Sequence, residues 1–92
     1  MVALTDQQAQ SLLTSMPDWK IDDGELVRTF SFKDFRASLA FVNRVGELAE
    51  SAGHHPDIDI RYNKVRLALV THDAGGLTNN DFDLAAKADK AV

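Results

Sequence analysis

The chain has 92 residues, no cysteine, three histidines, and ten Lys+Arg against fourteen Asp+Glu. A chain this short buries only roughly 60–65% of its unfolded surface, so one domain spanning 1–92 is expected, stabilised without disulfides by close packing or association. The formal charge of −4 leaves no basic face, which counts against direct binding to nucleic acid or an anionic membrane. Missing cysteine removes thiol catalysis, thiolate zinc sites and redox switching, and fits a reducing, cytoplasmic address. The opening MVALTDQQAQ has neither the basic nor the apolar region of a secretory signal, and no apolar run approaches the roughly 20 residues that span a bilayer.

In chain order, Thr5 and Gln8 have the form of a capping box, and Leu12, Leu13 and Met16 share one side of the helix that follows, predicted over 5–16. Pro17 ends it. Residues 19–22 and 25–30 flank Asp23-Gly24, a dipeptide that tolerates the positive φ angles of a type I′ hairpin turn. Apolar or small residues then recur at Phe32, Phe35, Leu39, Val42, Gly46 and Ala49, widened by Phe41, Val45 and Leu48. That spacing predicts a long amphipathic helix over 33–52. Gly53 supplies its left-handed cap and Pro56 its stop. Residues 58–62 and 65–72 form a second predicted hairpin around Asn63-Lys64. After Gly75-Gly76, Thr78 reads as an N-cap, Asp81 as N3, and Leu77 with Phe82 as a hydrophobic staple for a last helix over 79–91. The expected fold is α+β in the order α-β-β-α-β-β-α: a four-stranded antiparallel sheet with helices mainly on one face.

His54, His55 and His72 are the residues that point to chemistry. Pairing Tyr62 with Val65 and extending the ladder places His55 opposite His72, so the second hairpin gathers the histidines. Imidazole both gives and takes a proton near neutrality, which suits general acid-base catalysis. Each histidine also has a structural explanation: His54 can serve the end of the long helix, and His55 is held extended by Pro56. A shared metal ion is disfavoured because adjacent extended residues project to opposite sides. Glu50, one turn before His54, is placed to orient an imidazole or hold a substrate NH. Asp81 is explained by capping alone. Gly75-Gly76 reads as a turn rather than a phosphate cradle, and Trp19 as core. Gly46 is a candidate for close approach by another backbone. Serine-hydrolase, zincin and dinucleotide-binding motifs are absent from the sequence.

Glu50, then His54-His55-Pro56, Tyr62, His72 and Asp81 stand at the spacing of a specific signature. Phe32-Lys33-Asp34-Phe35, Tyr62-Asn63-Lys64-Val65 and Thr71-His72 extend the likeness from Trp19 onward. The chain thus resembles the pterin-4a-carbinolamine dehydratases, a family that includes a dimerisation cofactor of a homeodomain transcription factor. The resemblance implies dehydration of a 4a-hydroxytetrahydropterin to the quinonoid dihydropterin, recycling the cofactor used by an aromatic amino-acid hydroxylase. It implies His54 and His72 as the acid-base pair, His55 as a positioning group, and Glu50, Asp81 and Thr71 in support, with no metal or cofactor. It also implies a homodimer or homotetramer. Two other uses share the resemblance: a module that binds and stabilises a protein partner, and an accessory pterin-binding role in another pathway such as that of molybdopterin.

Overall fold

Two hairpins and three helices make up the computed structural model, which describes residues 2–92. The elements are α1 (Asp6–Leu13), β1 (Lys20–Asp22), β2 (Glu25–Ser31), α2 (Phe35–Ala52), β3 (Asp57–Arg61), β4 (Lys64–Leu69), a 3-10 turn (His72–Ala74) and α3 (Asn79–Lys90). The strands form one antiparallel sheet in the order β1-β2-β4-β3. This is the α+β order expected from sequence.

The first hairpin closes as its dipeptide dictates, with φ of 52° at Asp23 and 77° at Gly24 and Asp22 opposite Glu25. The second closes differently. Its turn is Tyr62-Asn63, with Arg61 opposite Lys64 and Ile60 opposite Val65, so the predicted Tyr62–Val65 register is out by two residues. The positive φ falls on Tyr62, at 51°. Asn63 is committed to the neighbouring strand instead: its side-chain amide donates to the Phe32 carbonyl at 3.0 Å, and the Phe32 N–H donates to its carbonyl at 2.8 Å. β4 also stops at Leu69 rather than reaching His72, so the ladder does not carry His55 to a position opposite His72.

Strand alternation separates the two sheet faces. Leu26, Phe30, Val65, Leu67 and Leu69 join the core with Phe41, Val45 and Ala49 of α2 and Phe82, Leu84, Ala85 and Ala88 of α3. Phe41 lies at the centre, its ring centroid 4.6 Å from Phe30 and 5.0 Å from Phe32. Trp19 meets Phe30 edge-on at 6.0 Å. Its indole N–H donates to Asp89 at 2.9 Å, and Arg28 donates to the same carboxylate oxygen at 2.6 Å. This partly buried cluster ties α3 to the first hairpin.

Helix boundaries follow the caps. The Thr5–Gln8 capping box is formed, but α1 ends at Leu13, three residues short of the predicted end. α2 begins after Asp34, whose side chain accepts the Ala37 N–H at 2.8 Å, two residues later than predicted. Its buried face is Ser38, Phe41, Val45 and Ala49: Ala49 belongs to the expected stripe, and Phe41 and Val45, expected only to widen it, lie at its centre. Phe35 and Leu39 remain 46% and 39% exposed, because the sequence carries two neighbouring apolar stripes and only one can face the sheet. A Cβ added to Gly46 would meet nothing within 4 Å, so no backbone approaches it within the chain. α3 ends at Lys90, one residue before the predicted end. Among the described residues, no helix is long and apolar enough to cross a membrane.

Replacing Phe41 by alanine removes the ring that joins sheet to helix and is expected to cost about 3–5 kcal/mol. Urea unfolding at fixed protein concentration should show this as a lower midpoint or as loss of the folded baseline; a change under 1 kcal/mol, on the same scale, would contradict the assigned core.

Candidate active site

The end of α2 delivers the first two histidines. Gly53 adopts φ 62°, its N–H reaching the Glu50 carbonyl at 3.3 Å while the His54 N–H reaches the Ala49 carbonyl at 3.1 Å. This double closure is a Schellman motif. It makes the His54 main chain part of the helix cap, so the imidazole leaves the helix in a fixed direction. Pro56 then holds His55 extended, and the two side chains diverge.

His54 turns inward. Its side chain is 14% exposed, and Nε2 lies 2.5 Å from Asp81 Oδ1. His55 turns outward, where its Nε2 meets the Glu50 carboxylate in an exposed pair. Glu50 therefore orients His55, not the His54 that helical spacing had suggested. Because His54 and His55 face different carboxylates, they do not share one ligand position. Among the described residues, no cluster of three or more His, Asp or Glu side chains is arranged to hold a metal ion.

Asp81 has no solvent exposure. It serves as N3 of α3, its Oδ2 accepting the Thr78 N–H at 2.9 Å. The same oxygen accepts the Thr71 hydroxyl at 2.9 Å, while Thr71 and Thr78 hydroxyls lie 2.8 Å apart. The capping role assigned from sequence is thus real but incomplete: one carboxylate closes α3, grips Thr71 and pairs with His54. Both of its oxygens have partners, and the described residues contain no buried side-chain N or O atom lacking one, as burial of a polar group requires.

Thr71 also opens the loop that presents His72. The Thr71 N–H donates to the Gly76 carbonyl at 3.1 Å, the Gly76 N–H returns to Thr71 at 3.4 Å, and the Gly75 N–H closes on the His72 carbonyl at 3.0 Å. Gly75 sits at φ 73°, the left-handed turn expected there. His72 consequently stands exposed on a short closed loop whose base is hydrogen-bonded to the partner of His54. His54 is thus tied through Asp81 and Thr71 to the loop carrying His72, while His55 stands on the outward side of the α2 cap with Glu50; strand register brings none of them together. His72 also borders an open cleft of about 750 Å³, with Ile21, Glu25 and Leu77 among its other walls; neither His54 nor His55 lines it. Thr78 is the site residue that sequence reasoning left as a cap. Its signal was a second hydroxyl residue seven positions after the one preceding His72.

The sequence matches the family model for pterin 4 alpha carbinolamine dehydratase over residues 2–91, and the chain belongs to that family. A relative from Acidobacterium capsulatum is 63% identical over 86 residues, 94% of each chain. Another, from Chloroflexus aurantiacus, is 57% identical over 92 residues, covering 100% of this chain and 99% of its own. Both are named provisionally as pterin-4-alpha-carbinolamine dehydratases. Among solved structures, a transcriptional coactivator/pterin dehydratase from Brucella melitensis superposes with a TM-score of 0.93 at 31% identity, covering 97% of each chain. A pterin dehydratase-like RuBisCO assembly factor of the alpha-carboxysome gives a TM-score of 0.65 at 23% identity, over 79% of this chain and 84% of its own, a likeness of fold alone.

The glycine cap is directly testable. No atom would touch a Cβ at Gly53, so Gly53→Ala adds only the left-handed backbone penalty, about 1–2 kcal/mol. Urea unfolding should show that loss, and imidazole NMR signals of His54 should shift with it. An unchanged midpoint and an unchanged spectrum would contradict the role given to the cap.

Proposed function

We propose that this chain dehydrates a 4a-hydroxytetrahydropterin to quinonoid dihydropterin plus water by metal-free histidine acid-base catalysis, in tetrahydropterin recycling. The observation that carries the reading is the connection through Asp81 and Thr71, which joins His54 to the loop bearing His72. In a carbinolamine the hydroxyl sits on a carbon next to ring nitrogen. A proton leaves that nitrogen, its electron pair forms the C=N bond, the C–O bond breaks, and a second proton joins the departing oxygen to make water. Two groups able to give and take protons near neutrality meet these needs.

On this reading His54 and His72 are the catalytic pair. Asp81 orients His54, Thr71 links the two, and His55 with Glu50 positions the pterin at the more exposed side. The substrate links the chain functionally to an aromatic amino-acid hydroxylase, and cytoplasmic homodimers or homotetramers are the working form.

A second reading has its own support. The Brucella melitensis structure is named a coactivator as well as a dehydratase, and the Phe35–Leu39 stripe of α2 is left open, as a protein-binding module would leave it. That role does not need the histidines, so a partner interaction that survives their triple replacement would separate it from catalysis. An accessory pterin-binding role in another pathway predicts pterin affinity without turnover.

The test is a stopped-flow assay that generates the 4a-carbinolamine in situ. Purified wild-type protein should accelerate its loss, and exhaustive chelation should leave the rate unchanged. His54→Ala and His72→Ala should each lower the rate by about 10²–10⁴-fold. Wild-type rates in either variant would contradict its catalytic role, and a chelation loss restored by zinc would contradict the metal-free mechanism.

A further inference from the structure

The hydroxyls behind Asp81 determine which nitrogen of His54 is free to react. Asp81 Oδ2 already accepts the Thr78 backbone N–H and the Thr71 hydroxyl, each at 2.9 Å. With two donors pointed at it, that oxygen has no room for a proton of its own. A threonine hydroxyl has a single proton, and that of Thr71 is spent on Asp81. The 2.8 Å contact between Thr71 and Thr78 must therefore be donated by Thr78. Thr78 Oγ1 in turn accepts the Asn80 N–H at 3.3 Å, so both of its roles are filled. The chain runs in one direction, from Thr78 to Thr71 to Asp81. Asp81 Oδ1 is left as an acceptor, and its partner at 2.5 Å is His54 Nε2.

We infer that Thr78, beyond capping α3, is a positioning residue for proton transfer: its hydroxyl sets the direction of this chain and holds His54 with a proton on Nε2, leaving Nδ1 as the nitrogen that exchanges a proton with substrate. The inference rests on the reading of His54 as an acid-base group. An O–H whose oxygen accepts a hydrogen bond becomes a stronger donor, so Thr78 strengthens the Thr71 bond to Asp81 without touching substrate. When neutral His54 takes a proton, it enters at Nδ1 while the Nε2–H stays on Asp81. Release reverses that path, and the imidazole never needs to flip.

Imidazole nitrogen–proton correlation spectra of the full chain, recorded at a pH where histidines are neutral, read the tautomer without any turnover. Wild-type His54 should carry its proton on Nε2 and show a bare Nδ1. Thr78→Ser keeps the hydroxyl and should keep both spectrum and rate. Thr78→Gly caps a helix nearly as well as threonine but has no hydroxyl. It should give mixed tautomer signals and a kcat lowered about 2- to 10-fold, the scale of one net hydrogen bond, with KM unchanged. Thr71→Val interrupts the same chain from a residue outside α3, leaves the Thr78 N–H bond to Asp81 in place, and should give the same spectral change, which keeps the test open if the glycine variant does not fold. A wild-type His54 protonated on Nδ1 would overturn the inference. So would a wild-type spectrum in Thr71→Val, or a Thr78→Gly protein that matches Thr78→Ser in spectrum and rate. Because the spectra need no substrate, a chain that failed to turn over the carbinolamine would overturn the dehydratase reading and leave the tautomer assignment to be decided on its own.

Discussion

A carboxylate removed from water costs several kcal/mol unless its lone pairs are filled, and Asp81, fully buried, fills them with groups from three separate parts of the chain. The start of α3 gives the Thr78 N–H, the loop after β4 gives the Thr71 hydroxyl, and the cap of α2 gives His54. Satisfying one charge therefore fixes the relative placement of three chain segments. Two of them carry or adjoin the histidines that the proposed chemistry requires. The demand is local and electrostatic, but its consequence is the geometry of the site.

The rest of the fold serves this junction. The central β2–β4 pairing and the aromatic cluster around Phe41 hold α2 against the sheet, and the Asp89 cluster holds the far end of α3. With both helices anchored, the Schellman closure at Gly53 aims His54 along a single path, and Pro56 sends His55 the other way. The exposed His55–Glu50 pair is held only by surface contacts, where ion pairs contribute little. The site thus has a rigid half around Asp81 and an open half at the solvent.

The element order was legible because each boundary carried a chemical marker: Thr5 and Gln8, Asp23-Gly24, Gly53 before Pro56, Thr78 before Asp81. Register in the second hairpin was not, since Asn63 was read as the turn former when the Phe32 carbonyl had claimed its amide. That competition is tertiary and leaves no local trace. The centre of the α2 stripe shifted from Phe35 and Leu39 to Phe41 and Val45 for a related reason: two apolar stripes lie side by side, and the sheet alone decides which one it covers. The expected approach of His55 to His72 rested on a strand pairing that does not form; the link present instead runs from His54 through Asp81 and Thr71 to the loop bearing His72. Asp81 looked fully explained by its cap, because nothing in an Asp at N3 announces a second use for its other oxygen. The family likeness placed it in the site before any contact could.

The central claim is that Asp81 and His54 act as one coupled unit joining fold and site. A double-mutant cycle in urea unfolding, with His54→Ala, Asp81→Asn and the pair measured at one protein concentration, tests it most directly. The account predicts a coupling of about 1–3 kcal/mol, because either single change already breaks the contact. Additive losses, within about 0.5 kcal/mol, would contradict it.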